Sequence, residues 1–134
     1  MEIIWNDVDM VEVCASASNG RYGGVTQFYT TVEELSELAN RLKGFPQKII
    51  DIVQFETGGK GGDSFLSLKF YCIDGVGHTA VYISMEEQSR NYYARPEERQ
   101  VVAFELRCEA GLIDKFRREL LRVAESQSGV ASLF

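Results

Sequence analysis

An α+β fold, an antiparallel sheet of about six or seven strands with two helices packed on one face, is predicted by three features of the sequence. The first is the run 65–85, FLSLKFYCIDGVGHTAVYISM, in which apolar and polar residues alternate on either side of Asp74-Gly75. Asp-Gly favours a two-residue hairpin turn, because a type I′ turn needs positive φ and glycine adopts it without steric cost. The second is another hairpin signal, Asn19-Gly20, flanked by strand-like segments. The third is a pair of segments, 31–46 and 110–125, whose apolar residues recur at helical spacing along one stripe. Hairpins imply antiparallel pairing, and single-striped helices cover one face of a sheet.

In chain order, residues 2–6 form a short strand ended by the polar pair Asn6-Asp7. In 8–18, Val11, Val13, Ala15 and Ala17 share one face, while Glu12, Cys14, Ser16 and Ser18 share the other. The return strand is 21–30, where Gly23-Gly24 signals a bulge or the close approach of another backbone. Thr31 stands three residues before Glu34, the capping-box spacing, and Val32, Leu35, Leu38, Ala39 and Leu42 form the stripe of the first helix. Gly44 and Pro46 stop it. A β-branched strand follows at 48–56, then the glycine-rich linker 57–63.

In the central hairpin a tight Asp74-Gly75 turn pairs Ile73 with Val76, and counting outward sets Phe70 opposite Thr79, Leu68 opposite Val81 and Leu66 opposite Ile83 on the core face. Tyr71, His78, Tyr82 and Phe65 then lie on the opposite, partly open face. Residues 86–99 are a long polar and aromatic excursion broken at Pro96, and 100–108 return to strand with Val102, Phe104, Leu106 and Cys108 inward. The second helix, 110–125, carries Ile113, Phe116, Leu120 and Val123 on its stripe. Residues 1–125 thus make a single domain, and 126–134, without periodicity, read as a flexible C-terminal tail.

Composition bounds the function. The net charge of −6, from 20 acidic and 14 basic residues, argues against nucleic-acid binding, which leaves a basic footprint, and suits a basic protein partner. Neither a signal peptide nor a long apolar run is present, so neither secretion nor membrane insertion is expected. Cys14, Cys72 and Cys108 are dispersed and odd in number, which reads as buried free thiols in a reducing cytoplasm.

No catalytic constellation stands out. His78 is the only histidine, and no nucleophile or carboxylate stands beside it at a telling spacing. One histidine, no CxxC and no calcium-loop spacing predict no metal. The stretch GGKGGDS around Lys60 lacks GxxxxGK[ST] and leads into a strand, so no phosphate or other cofactor site is expected. The acidic pairs Glu86-Glu87 and Glu97-Glu98 bracket Tyr92-Tyr93, aromatic anchors with an acidic rim. The candidate partner-binding residues are therefore Glu86, Glu87, Tyr92, Tyr93, Glu97 and Glu98, with Tyr71, His78 and Tyr82 on the open sheet face. The alternative is a small-molecule-binding domain or enzyme with a pocket near His78, and a third reading makes the open face a homodimer interface.

The helix EELSELANRLKGFP, the strand GHTAVYISM after a C-x-D-G turn and the closing LIDKFRRELLRV together resemble a group of small bacterial proteins that includes WapI-like immunity proteins of polymorphic toxin systems. The similarity spans 31–123 and is carried by structural residues, so it transfers no functional position. It implies a cytoplasmic, non-enzymatic inhibitor that binds a cognate toxin domain.

Overall fold

The computed structural model describes residues 1–58, 63–88 and 95–134. The fold is α+β, with two helices and eight strands among these residues, every strand pair antiparallel. The strands are β1 (Glu2–Asn6), β2 (Val11–Ser18), β3 (Gly23–Thr30), β4 (Ile52–Thr57), β5 (Ser64–Cys72), β6 (Thr79–Glu87), β7 (Gln100–Arg107) and β8 (Gly129–Val130). The helices are α1 (Val32–Arg41) and α2 (Ala110–Ser126), and Pro96–Glu98 form one 3₁₀ turn.

The strands divide into two four-stranded sheets. Sheet A has the order β3-β2-β1-β8 and sheet B the order β4-β5-β6-β7. Helix α1 separates β3 from β4 in the chain, and these strands face each other across the core instead of pairing, with the Phe28 and Phe55 rings 6.5 Å apart. The inner faces of both sheets and the stripes of both helices share one apolar core. Val11, Val13, Leu35, Leu38, Leu66, Phe70, Val81, Ile113 and Leu120 are almost completely buried in it. Phe70 of β5 stacks on Phe116 of α2 at 6.3 Å, so the predicted core face of the central hairpin does meet helix α2.

That hairpin corrects the predicted register. Phe70 pairs with Val81, Leu68 with Ile83 and Leu66 with Met85, two residues from the expected partners. The loop holds four residues rather than two, closed by the Ile73 N–H donating to the His78 carbonyl at 2.9 Å. The Asp74 carboxylate accepts from the Val76 N–H at 2.9 Å, and the positive φ falls on Gly77 rather than Gly75. An aspartate that caps its own turn lengthens the loop. A shift of two leaves each side chain on its predicted face. The 19–22 turn is built likewise, with Asn19 Oδ1 accepting from the Arg21 and Tyr22 N–H groups at 2.9 and 2.8 Å.

Helix α1 starts as predicted, the Thr31 hydroxyl accepting from the Glu34 N–H at 3.2 Å. The Glu34 carboxylate turns instead to the Thr30 hydroxyl, so the capping box is half made. Strand β4 begins later than the β-branched run suggested. Asp51 Oδ2 accepts from the Gln47 and Lys48 N–H groups, both at 2.9 Å, and this turn leaves Ile49 and Ile50 exposed. Cys108 is buried, whereas Cys14 and Cys72 are only half-buried; all three are free.

The C-terminal segment also departs from expectation. Rather than a loose tail, 129–130 form β8 against β1, and Ala131 is buried, exchanging backbone hydrogen bonds with Met1 at 2.9 Å each way. Ser132 is anchored twice: its N–H donates to Glu119 at 2.8 Å, and its carbonyl accepts from Lys115 at 3.2 Å. A two-residue strand next to a left-handed Gln127 leaves no periodicity to read in sequence.

The predicted glycine irregularity in β3 is a close approach, made by a side chain. A Cβ on Gly24 would lie 2.9 Å from Val102 Cγ1 of β7, where the two sheets come together. Valine is stiff at χ1 and cannot swing aside freely. Gly24→Val should therefore cost about 1–3 kcal/mol in urea unfolding, and Val102→Ala in the same chain should restore most of it.

Candidate functional site

Each sheet turns its second face outward. On sheet B, the register aligns Ile52, Tyr71, Ala80 and Arg107 in one row and Gln54, Lys69, Tyr82 and Glu105 in the next. Tyr71 donates its hydroxyl to the Glu105 carboxylate, and the Lys69 ammonium lies 6.0 Å from the Tyr71 ring centre. Partial burial, then the hydrogen bond to Glu105 and its charge, push the Tyr71 phenol up to about 12. With the folded-state value raised from 10, this contribution to stability is complete below pH 10 and lost as pH rises toward 12. An absorbance titration of the tyrosines should show a late component near pH 12 that Tyr71→Phe removes.

The candidate residues do not converge on one surface. Tyr71 and Tyr82 share the outer face of sheet B, as expected. His78 sits on the exposed turn beside them, its ring 2.5 Å from the Asp74 carboxylate. This hydrogen bond and that of the Val76 N–H hold the Asp74 carboxyl below the ordinary aspartate value. A depressed folded-state value stabilises above the unfolded value near 3.8 and is lost as pH falls through the folded one. Carboxyl NMR through the acid range should show Asp74 titrating low, and His78→Ala should move it up.

Glu86 is not on an accessible rim. It is 4% exposed and pairs with Arg99 at 2.8 Å, beside a buried Phe65. Glu87 points inward and ties the sheets together, accepting from the Thr26 hydroxyl at 2.7 Å and the Gln27 N–H at 3.3 Å. Glu97 and Glu98 lie on the 3₁₀ turn, Glu98 within 3.7 Å of Arg95. Tyr92 and Tyr93 fall outside the described residues. Sequence spacing places charges along the chain but says nothing about which of them turn inward at a strand end.

The outer face of sheet A is absent from the sequence-based expectation. Here the register aligns Trp5, Glu12 and Tyr29 across three strands, next to the row Val130, Glu2, Cys14 and Gln27. The Trp5 and Tyr29 rings meet edge to face at 6.2 Å, and each is about half exposed, 48% and 51%. Val25 and Val130 are exposed on the same sheet. Residues 1–20 hold four acids, Glu2, Asp7, Asp9 and Glu12, and no Lys or Arg. The alternation of 24–30 could have turned Tyr29 outward. Trp5 is illegible because β1 slips register between Ile3 and Trp5, which breaks the period-2 count.

Among the described residues, no group of three or more His, Cys, Asp or Glu is placed to hold a metal, and no helix is long and apolar enough to cross a membrane. An apolar cleft does exist, but it lies between the sheets, and neither His78, Tyr71 nor Tyr82 lines it. Fold and faces together define a two-sheet α+β domain with half-exposed aromatic side chains on the outer face of sheet A. Comparison with protein-family models, curated proteins and solved structures finds no match for the chain.

Proposed function

We propose that the protein is a non-enzymatic binding module that takes a basic protein partner on the outer face of sheet A. The supporting observation is the half-exposed Trp5–Tyr29 pair straddling Glu12, with four acids and no Lys or Arg in residues 1–20, which supply Trp5 and Glu12. Tryptophan and tyrosine bury large areas at low entropic cost and dominate interface energetics. A surrounding negative field speeds the encounter with a cationic surface and helps select it.

The finer reading is a cytoplasmic immunity protein that neutralises a cognate toxin domain by direct binding, and it rests on the resemblance of 31–123. The partner to test is a basic toxin domain, sought first in the reading frame next to this chain's own. Co-expression should rescue growth of cells producing it, and Trp5→Ala should weaken binding by at least about 2 kcal/mol, roughly thirtyfold. Folding stability should change by no more than about 1 kcal/mol, since the ring is half in water. Glu12→Lys should slow association more at low salt than at high salt. Tight binding that ignores both changes would remove this face from the proposal. A homodimer through sheet B draws less support, because Lys69, Glu105 and Arg107 stud that face.

A further inference from the structure

The cleft between the sheets invites a function of its own. It has a volume of about 240 Å³, and its floor is the inner face of sheet B, where Leu66, Phe70, Ile83 and Met85 are 0–4% exposed. Ala15 and Ala17 of β2, Phe116 of α2 and the segment 130–134 complete the walls. No charged side chain lines it. An apolar void of about 150 Å³ already stays dry and takes up benzene, so a larger half-open one is a poor place for water and a good one for hydrocarbon.

Backbone polar groups gather at the β2 edge of the cleft. The Asn19 N–H donates to the Tyr22 carbonyl, which sets the alternation of the β2–β3 ladder: odd-numbered residues of β2 bond to β3 and even-numbered ones face the β1 side. On that side the register of β1 ends with Glu2 opposite Cys14. Beyond it the N–H and C=O groups of Ser16 and Ser18 face the cleft, whose lining includes both residues. A mostly apolar chamber with a few fixed donors and acceptors at its rim is the usual form of a small-molecule site.

We infer that this cleft binds an uncharged single-chain amphiphile, with its hydrocarbon between the sheets and a hydroxyl or amide head on the free edge of β2. The volume equals that of about eight waters in the liquid, so a chain on the order of eight to ten carbons fits. A carboxylate head is disfavoured, because no cationic side chain lines the cleft and burial holds the Met1 ammonium below the ordinary amino-terminal value, which weakens the one cation at its edge.

The test is a titration of the intact protein, labelled at its methyl groups, with 1-decanol, decanamide and decanoate. Decanol and decanamide should shift the Ile83, Leu66 and Met85 methyls saturably, and decanoate should bind at least tenfold more weakly. Ala17→Phe, which fills the mouth, should weaken decanol at least tenfold. Should that variant fail to fold, the mapping on the unaltered protein still decides. Shifts confined to exposed methyls such as Val8, Val25 or Ile50, no saturable shifts, or decanoate binding as tightly as decanol would each overturn the assignment. Partner binding through Trp5 is measured separately and does not depend on the outcome.

Discussion

Replacing Phe70 with alanine should lower the stability of this protein by about 3–5 kcal/mol. The ring is fully buried, lies on the central strand pair of sheet B and stacks on Phe116 of α2 at 6.3 Å. Removing it forfeits the transfer of a large apolar side chain and leaves a hole next to the existing cleft, which Phe70 also lines. That hole opens toward solvent, and water entering it would deepen the loss. Phe116→Ala should behave similarly, and the double variant should recover about 0.5–1.5 kcal/mol of the summed cost, the share belonging to the ring pair itself. Urea midpoints of the four chains measure all of this. A loss below about 1 kcal/mol for Phe70→Ala would mean that helix α2 does not pack on this strand.

The second large effect is expected at Glu86. A lysine there would place a cation in a site 4% exposed, opposite Arg99. Only Glu86 is buried, and the Arg99 side chain stays 39% exposed and screened by water; the cost of a lysine lies in stripping its ammonium of water and setting it against a like charge. Glu86→Lys should therefore destabilise by about 2–3 kcal/mol, less than a fully buried pair would lose because Arg99 is partly solvated. Glu97→Lys, on the exposed turn, should stay within about 0.5 kcal/mol. Thermal or urea unfolding distinguishes the two, and equal, small effects would contradict the buried placement of Glu86. The contrast bears on function as well. A charge reversal at Glu86 reports on folding, whereas one at Glu12 reports on recognition.

Much of the fold was legible because it follows from local rules. The stripe of α2, from Ile113 to Val123, and the alternation of β7 from Val102 to Phe104 turn inward as periodicity requires. The central hairpin kept its faces even though its register moved by two, since sidedness depends only on parity. What was not legible is non-local. The division into two sheets depends on Phe28 meeting Phe55 across the core, which no pattern within either strand encodes. The docking of 129–131 on β1 rests on two ladder positions and on Glu119 reaching Ser132.

The site was less legible than the fold for the same reason. Glu86 and Glu87 look like a surface pair, yet one is buried against Arg99 and the other clasps β3. Trp5, hidden by a register slip, emerges as a half-exposed aromatic anchor beside Tyr29 only when three strands are laid side by side. Charge content pointed to a basic partner, but only the sheet register shows where acids and aromatics share a face.

The proposed recognition face has a built-in reporter, because Trp5 is the single tryptophan. Acrylamide quenching of its fluorescence, measured in the free protein and in the complex with the basic partner, tests the proposal directly. Half-exposed in the free chain, the ring should become several-fold less accessible and its emission should shift to the blue on binding. A saturated complex in which Trp5 is quenched as readily as before would show that the partner sits elsewhere.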